Sequence, residues 1–168
     1  MVRQVDRKVE EVESAYAQGE ERPLRSYAAM TAAYLTVVGG LGAYLDRTGR
    51  LPERLELGDL VLAAIATHKI SRTVAKAPVT SPLRAPFTRY KGVSGPSQLE
   101  EEVRGEGARQ ALGEFIACPF CLSQWVATGL IFGLILAPRA TRLTASIFAA
   151  VAASDLLQFA YARAQQAA

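Results

Sequence analysis

The stretch that decides the fold runs from residue 115 to residue 137 and reads FIACPFCLSQWVATGLIFGLILA. It contains no charged residue over twenty-three positions, and Pro119 and Pro138 mark its two ends. Proline is favoured at the first position of a helix, so Cys118 is expected to be the N-cap residue of a helix over 119–137, within a span of about 118–137. Such a helix is about 28 Å long, close to the thickness of the hydrocarbon core of a bilayer. The sequence therefore predicts a transmembrane span.

Three further segments have compositions that suit a span. The segment 26–45 has twenty residues without a charge, which is enough to cross a bilayer as a helix. The segment 143–162 contains one charged residue, Asp155. The segment 57–75 is weaker, because its apolar centre is short and basic residues follow it. A core helix of a soluble domain has a similar composition, so hydropathy alone does not decide this segment.

The placement of lysine and arginine decides between three spans and four. With four spans, one side of the membrane receives twelve basic residues and the other side receives five. If 57–75 did not span, the stretch 46–117 would be external and would hold eleven basic residues. That arrangement violates the positive-inside rule. The sequence therefore predicts four spans, with both termini on the cytoplasmic side.

Two polar parts flank the predicted spans. Residues 1–22 are an arm with apolar residues at steps of three and four, which predicts an amphipathic helix on the protein or on the bilayer surface. Residues 76–117 are expected to form a cytoplasmic loop and helix. Four prolines lie between residues 76 and 96, and each biases its neighbour toward extended backbone. This part is expected to be an ordered, extended connector.

The connector is followed by a pattern that is typical of a helix start. Ser97-Gln-Leu-Glu100 has the spacing of a capping box, which predicts a helix over about 98–116. The predicted fold class is therefore all-α. It is a four-span transmembrane helical bundle in residues 23–168, with an N-terminal amphipathic helix and a capped cytoplasmic helix.

Composition excludes several classes of protein. Half of the 168 residues are hydrophobic and 21% are charged, which excludes a disordered chain. Two cysteines are too few for a disulfide-rich secreted scaffold. The net charge of +3 is too small to indicate a nucleic-acid partner, and the motifs of a phosphate-binding loop or a hydrolase elbow are absent. The expected partners are membrane lipids and further copies of the chain or a larger membrane complex.

Cys118 and Cys121 form a C-x-x-C pair in the first turn of a predicted helix. Unpaired amides and the positive end of the helix dipole lower the pKa of a thiol there, which suits redox chemistry. The pair could also bind zinc if His68, the only histidine, and a carboxylate completed four ligands. A third interpretation is that both cysteines are small buried residues that fit tight helix packing. No cofactor is expected beyond that possible zinc.

Charged residues near the same predicted membrane face have two expected roles. Asp155 lies within a predicted span, so it is expected to form a buried ion pair with Lys69 or Arg72. The basic residues are expected to converge on a positive pocket that binds an anion such as a phospholipid headgroup. The residues of this predicted anion site are Lys69, Arg72, Arg84 and Arg89, of which Arg72 and Arg84 are expected to contribute most.

Gly129 and Gly133 are spaced as a GxxxG pair in the decisive stretch. Small residues at this spacing allow two membrane helices to approach closely, so both glycines are expected to lie at a helix-packing face.

Three motifs resemble a bacterial membrane family. They are ATHKISR at 66–72, VTSPLRAPFT at 79–88 and CPFCLSQWV at 118–126. In this order they resemble the family catalogued as domain of unknown function 1360, which includes a sporulation-associated protein of bacilli, over about residues 57–162. The resemblance implies a small integral protein of the bacterial cell membrane. It brings no established reaction, cofactor or catalytic residue.

Two functions follow from these patterns as hypotheses. The small-residue faces and the amphipathic arm favour a non-enzymatic assembly or scaffold subunit that packs against itself or against a larger membrane complex. The alternative is a membrane protein that uses Cys118 and Cys121 for thiol–disulfide exchange or for metal binding.

Overall fold

The computed structural model describes residues 11–17 and 22–167, so most of the predicted arm at 1–22 lies outside the described residues. Residues 11–17 are helical. The elements from residue 22 onward are α1 (Leu24–Arg47), α2 (Leu57–Lys76), a 3₁₀ turn (Pro78–Thr80), α3 (Ser81–Arg84), β1 (Thr88–Gly95), β2 (Gln98–Val103), α4 (Gly107–Ala117), α5 (Pro119–Leu136) and α6 (Pro138–Ala167).

Three of these helices, α1, α5 and α6, are long and apolar enough to cross a membrane. They cover the predicted spans at 26–45, 118–137 and 143–162, and α6 begins five residues earlier than predicted, at Pro138. Helix α2 has the length of a span, with 20 residues, but it is less apolar than the other three. Its charged residues, such as Asp59 and Lys69, lower its mean hydropathy.

The helices are related by contacts that also give their relative directions. Tyr27, near the start of α1, donates a hydrogen bond to Glu114, just before α5. Tyr34, two turns further along α1, lies 3.0 Å from the hydroxyl of Thr128, which is well inside α5. Glu114 lies five residues before α5 begins at Pro119, so the contacts of α1 advance from the start of α5 into its interior. Helices α1 and α5 therefore run in the same direction.

Helices α2 and α6 are also parallel, since two ion pairs join them in the same order along both helices. Arg142 donates two hydrogen bonds to Asp59, of 2.9 and 2.7 Å, near the start of each helix. Further along both helices, Lys69 Nζ lies 2.5 Å from Asp155 Oδ2. The two levels are about 15–20 Å apart at 1.5 Å per helical residue.

The core of the bundle lies where α2, α5 and α6 meet. Early residues of α2, Ala63 and Ala66, pack with late residues of α5, Leu130 and Leu134, so these two helices are antiparallel. Ala145 of α6 completes the buried cluster. The small residues on α2 let its backbone approach those of α5 and α6 closely. Membrane helices pack in this way because no hydrophobic driving force acts between them in lipid.

The all-α prediction is wrong in one element, because residues 88–103 form an antiparallel β-hairpin. Pro96 and Ser97 connect the two strands, and Ser97 has a φ of 55°. A proline followed by a residue with positive φ is the arrangement that a type II turn requires. An N-cap residue has extended backbone instead, so Ser97 does not cap a helix.

The helix predicted over 98–116 is therefore a strand followed by a shorter helix, α4. The three consecutive glutamates at 100–102 pair across the hairpin with β1 rather than lying on a helix surface. The connector at 76–96 is also more structured than predicted, since it contains a 3₁₀ turn, the short helix α3 and the strand β1. The capping pattern predicted the wrong element because Ser97 lies in the turn of the hairpin, where its backbone has a positive φ.

The two glycines of the GxxxG pair have different surroundings. A Cβ at Gly133 would lie 2.7 Å from Thr141 Oγ1 of α6, which is closer than packed atoms tolerate. A Cβ at Gly129 would have no atom of the described residues outside its own helix backbone within 4 Å. Helix α6 therefore packs against Gly133, whereas Gly129 has space beside it.

Gly133→Leu is expected to lower the stability of the chain by about 1–3 kcal/mol, because the side chain would force α5 and α6 apart. The matched variant Gly129→Leu is expected to leave the stability of the single chain unchanged. Thermal unfolding of both variants in detergent, followed by circular dichroism, makes the comparison. Equal melting temperatures for the two variants would contradict this packing.

Candidate functional site

The candidate site is the end of the bundle where α2 ends and α5 begins. The hairpin and α4 connect these two helices. The three motifs at 66–72, 79–88 and 118–126 contribute residues to this end. Arg72, in the last third of α2, donates a 2.5 Å hydrogen bond to Gln98 at the start of β2. Tyr27 of α1 reaches Glu114 of α4. Contacts between all of these elements therefore converge on one end of the bundle.

Arg84 is the buried centre of this end, with 0% of its surface exposed. Its Nε lies 2.5 Å from Glu101 Oε2, and the Glu101 side chain is 5% exposed. Its two terminal nitrogens donate to the backbone oxygens of Val74 (2.6 Å) and Ala77 (3.1 Å) and to Thr80 Oγ1 (2.8 Å). The guanidinium therefore joins the end of α2, the following turn and strand β2.

This arrangement follows from the chemistry of a helix end. The last carbonyls of α2 have no partner within the helix, and a buried carbonyl without a partner is costly. Arginine carries five donors in a fixed planar fork, so one side chain can satisfy several acceptors and a carboxylate together. Thr80 assists, since its hydroxyl donates toward the backbone oxygen of Thr73 at 2.6 Å.

The loop between α3 and β1 is held from the other side by two further arginines. Arg104 donates to the backbone oxygen of Ala85 at 2.8 Å, and Arg109 donates to that of Pro86 through two nitrogens. The backbone amide of Arg104 donates to the oxygen of Phe87. Three consecutive carbonyls of a proline-rich loop therefore receive donors from residues 104–109.

The predicted anion site is not assembled as expected from the sequence. Arg84 points into the protein and is engaged by Glu101, so it is not available to an external anion. Arg72 is engaged by Gln98, and Lys69 by Asp155. Arg89 is exposed on β1. Three of the four basic residues that were expected to share one ligand instead have separate partners within the chain.

The sequence predicts that Asp155 forms an ion pair with Lys69 or Arg72, and in the structure it lies beside Lys69. The side chains of Lys69 and Asp155 are 21% and 40% exposed within the chain. An ionised group in an apolar medium is costly unless it is paired, so this contact lets two polar side chains lie on apolar helices.

The predicted zinc ligands are not brought together. In residues 11–17 and 22–167, no group of three or more histidine, cysteine, aspartate or glutamate side chains is placed to hold a metal ion. His68 is exposed on α2. Glu114, which could have supplied a carboxylate near the cysteines, accepts hydrogen bonds from Tyr27 and, at 3.2 Å, from Gln110. The donor set therefore does not fit zinc.

Cys118 and Cys121 are free thiols at the junction of α4 and α5. Cys118 is the N-cap residue of α5, and its Sγ accepts a hydrogen bond of 3.3 Å from the backbone amide of Cys121. Pro119, the first residue of α5, fixes the backbone at this start. Cys121 is exposed and Cys118 is half-buried.

The surroundings of Cys118 favour its thiolate form. Burial raises the pKa of the Cys118 thiol, but other contacts lower it by more. These are hydrogen bonds from the Cys121 thiol and from the backbone amides of Cys121 and Phe120, together with the positive charge of Lys76. The pKa of Cys118 therefore lies below the usual value for a thiol.

The sequence interpretation missed Glu101 as the partner of Arg84. The signal that could have found it is the alternation Leu99, Glu101, Val103, which places one glutamate on the same strand face as two apolar residues. It also missed the pair of Asp59 with Arg142, which joins two predicted spans. Both pairs connect residues that are far apart in sequence.

Glu101→Ala is expected to destabilise the chain by about 3–5 kcal/mol, because it leaves the buried Arg84 without a counter-charge. The matched control is Glu102→Ala. Glu102 is 55% exposed and pairs with Lys91 on the surface, so its loss is expected to have little effect on stability. Melting temperatures in detergent compare the two variants. A similar loss for both would show that the buried pair does not hold this end together.

Comparison with known proteins agrees with the resemblance of the three motifs. The family described as Protein of unknown function (DUF1360) matches residues 62–161. The matched range contains α2 from its second turn, the Arg84 centre, the hairpin, the cysteine pair and most of α6. No curated protein and no solved structure matches the chain. Because the matched residues are more than half of the chain, this protein belongs to the DUF1360 family.

Proposed function

We propose that the chain is a four-span integral protein of the bacterial cell membrane that serves as a non-enzymatic assembly subunit. The spans are α1, α2, α5 and α6. The parallel pairs α1 with α5 and α2 with α6 support this arrangement, because helices that cross a membrane in alternation give these directions. With α2 as a span, the first and third helices run one way and the second and fourth run the other way.

The charges on α2 are compatible with a span because they have partners. Asp59 binds Arg142 and Lys69 binds Asp155, so both ion pairs lie between α2 and α6. A hydropathy average counts such residues as if each were exposed to lipid. It therefore underestimates the tendency of a helix to span the membrane when the polar side chains of that helix face a neighbouring helix. The pairing supports α2 as the central span rather than as an external segment.

The distribution of basic residues supports the orientation. The connection 77–118 and both chain ends lie on the side that receives twelve lysine and arginine residues, against five on the opposite side. By the positive-inside rule this side is cytoplasmic. Arg89 is exposed on the hairpin there and is a candidate for contact with anionic lipid headgroups.

The observation that carries the assembly role is the outer face of α1. At 3.6 residues per turn, Tyr27, Tyr34 and Leu45 share the face of α1 that packs on the chain. The opposite face is exposed and consists of small residues along the whole helix. These are Ala28, Ala29, Ala32, Ala33, Thr36, Gly39, Gly40 and Ala43.

A face of small residues on a membrane helix suits close contact with another helix. A face that only met lipid would have no need for small side chains, and α6 has large ones at exposed positions, such as Leu156, Leu157 and Phe159. We propose that the small face of α1 packs against a second copy of the chain, while the large side chains of α6 contact acyl chains.

The span count can be tested by labelling with a membrane-impermeant maleimide in intact cells. In a background with Cys118→Ser and Cys121→Ser, Leu51→Cys is expected to react from outside, because the α1–α2 connection is external. Ser94→Cys, at the hairpin, is expected to react only after the cells are permeabilised. Reaction of both positions under the same condition would show that α2 does not cross the membrane.

The assembly role can be tested by cross-linking in native membranes. Gly40→Leu is expected to reduce the cross-linked dimer several-fold, because a large side chain keeps the two α1 helices apart. Ala160→Leu is the matched control, since it adds the same kind of bulk among the large side chains of α6 and is expected to leave the dimer unchanged. Recovery of monomer alone from the wild-type chain would overturn the proposal.

A further inference from the structure

The cysteine pair has a geometry that the assembly role does not use. Cys118 and Cys121 are three residues apart at the start of α5, and a hydrogen bond joins their thiols. The backbone amide of Cys121 donates to Cys118 Sγ, and the positive charge of Lys76 acts on Cys118. Both thiols are free, and that of Cys121 is exposed.

We propose that Cys118 and Cys121 form a redox-active dithiol that exchanges with a disulfide in another molecule, the external disulfide. Cys118 is the attacking residue, because its sulfur accepts hydrogen bonds that favour the thiolate. Cys121 is the resolving residue, because its exposed thiol lies in the same helical turn. The substrate class is a disulfide that reaches the surface of the protein at the start of α5.

The exchange takes place in two steps. The thiolate of Cys118 attacks one sulfur of the external disulfide, so that a mixed disulfide forms and the other external sulfur leaves as a thiolate. Cys121 then attacks the Cys118 sulfur of the mixed disulfide, and its proton passes to the departing sulfur. The chain ends with a Cys118–Cys121 disulfide, and the external disulfide ends as two thiols. Two electrons move from the chain to the substrate.

Two features make this pair suited to exchange rather than to a permanent bond. Exposure of Cys121 gives a partner sulfur access to the pair, and a buried structural disulfide lacks such access. The hydrogen bond from the Cys121 amide favours the thiolate of Cys118, which is the form that attacks a disulfide. On the cytoplasmic side of a membrane, the resting state is expected to be the dithiol.

The test uses the full chain in lipid nanodiscs with oxidised glutathione as the probe. After quenching with acid and alkylating free thiols, intact mass spectrometry is expected to show a single chain that has lost two hydrogens. With Cys121→Ser, the reaction is expected to stop at one glutathione adduct on Cys118. That adduct is expected to form about tenfold faster at pH 7 than the adduct on Cys121 in the Cys118→Ser variant.

The two variants are matched and are expected to fold. Serine is a favoured N-cap residue, so Cys118→Ser keeps an acceptor at the start of α5. Circular dichroism of each variant checks that the helices are present. Three outcomes would overturn the proposal: retention of both thiols by the wild-type chain, equal adduct rates in the two variants, or a disulfide that joins two chains.

Discussion

The buried guanidinium of Arg84 is the interaction on which the organisation of the polar end depends. A charge with no exposed surface requires a counter-charge and acceptors for its donors, and Glu101, Thr80 and the last carbonyls of α2 supply them. Satisfying Arg84 fixes β2 against the end of α2. The hairpin then determines where α4 begins, and α4 delivers Cys118 to the start of α5. Arg84 therefore joins α2, the turn after it and β2, and the contacts of Arg72, Arg104 and Arg109 hold the same end.

Hydropathy and proline placement predicted most of the helices because these signals are local. The start of α5 follows from Pro119 and the end of α2 lies one residue from its predicted position. The hairpin was mispredicted because three consecutive glutamates in β2 masked the alternation of Leu99, Glu101 and Val103. Ser97 and Glu100 satisfied a local capping pattern, whereas the backbone at Ser97 is determined by strand pairing.

The residue types of the candidate site could be predicted from the sequence, but of the partners only Asp155 for Lys69 could be predicted. Arg84, Arg72 and Lys69 were recognised as unusual, and the sequence offered an external anion as their common ligand. In the structure each has its own partner, respectively Glu101, Gln98 and Asp155, at separations of 17 to 86 residues. The pair of Lys69 with Asp155 was expected because a carboxylate within a span requires a cation. The other two pairs depend on how β2 packs against α2 and α3, which no local sequence pattern predicts. The cysteine pair was recognised more fully, because its geometry is contained within one helical turn.

The connection between α5 and α6 is a single residue, Ala137, which lies between Leu136 and Pro138. Thr141 of α6 closes on Gly133 beside this turn, so the two helices are held together at the point where they reverse direction. A one-residue connection restricts the movement of α5 relative to α6. Sliding or tilting of α2 against these two helices would be resisted by its ion pairs with α6, Asp59 with Arg142 and Lys69 with Asp155.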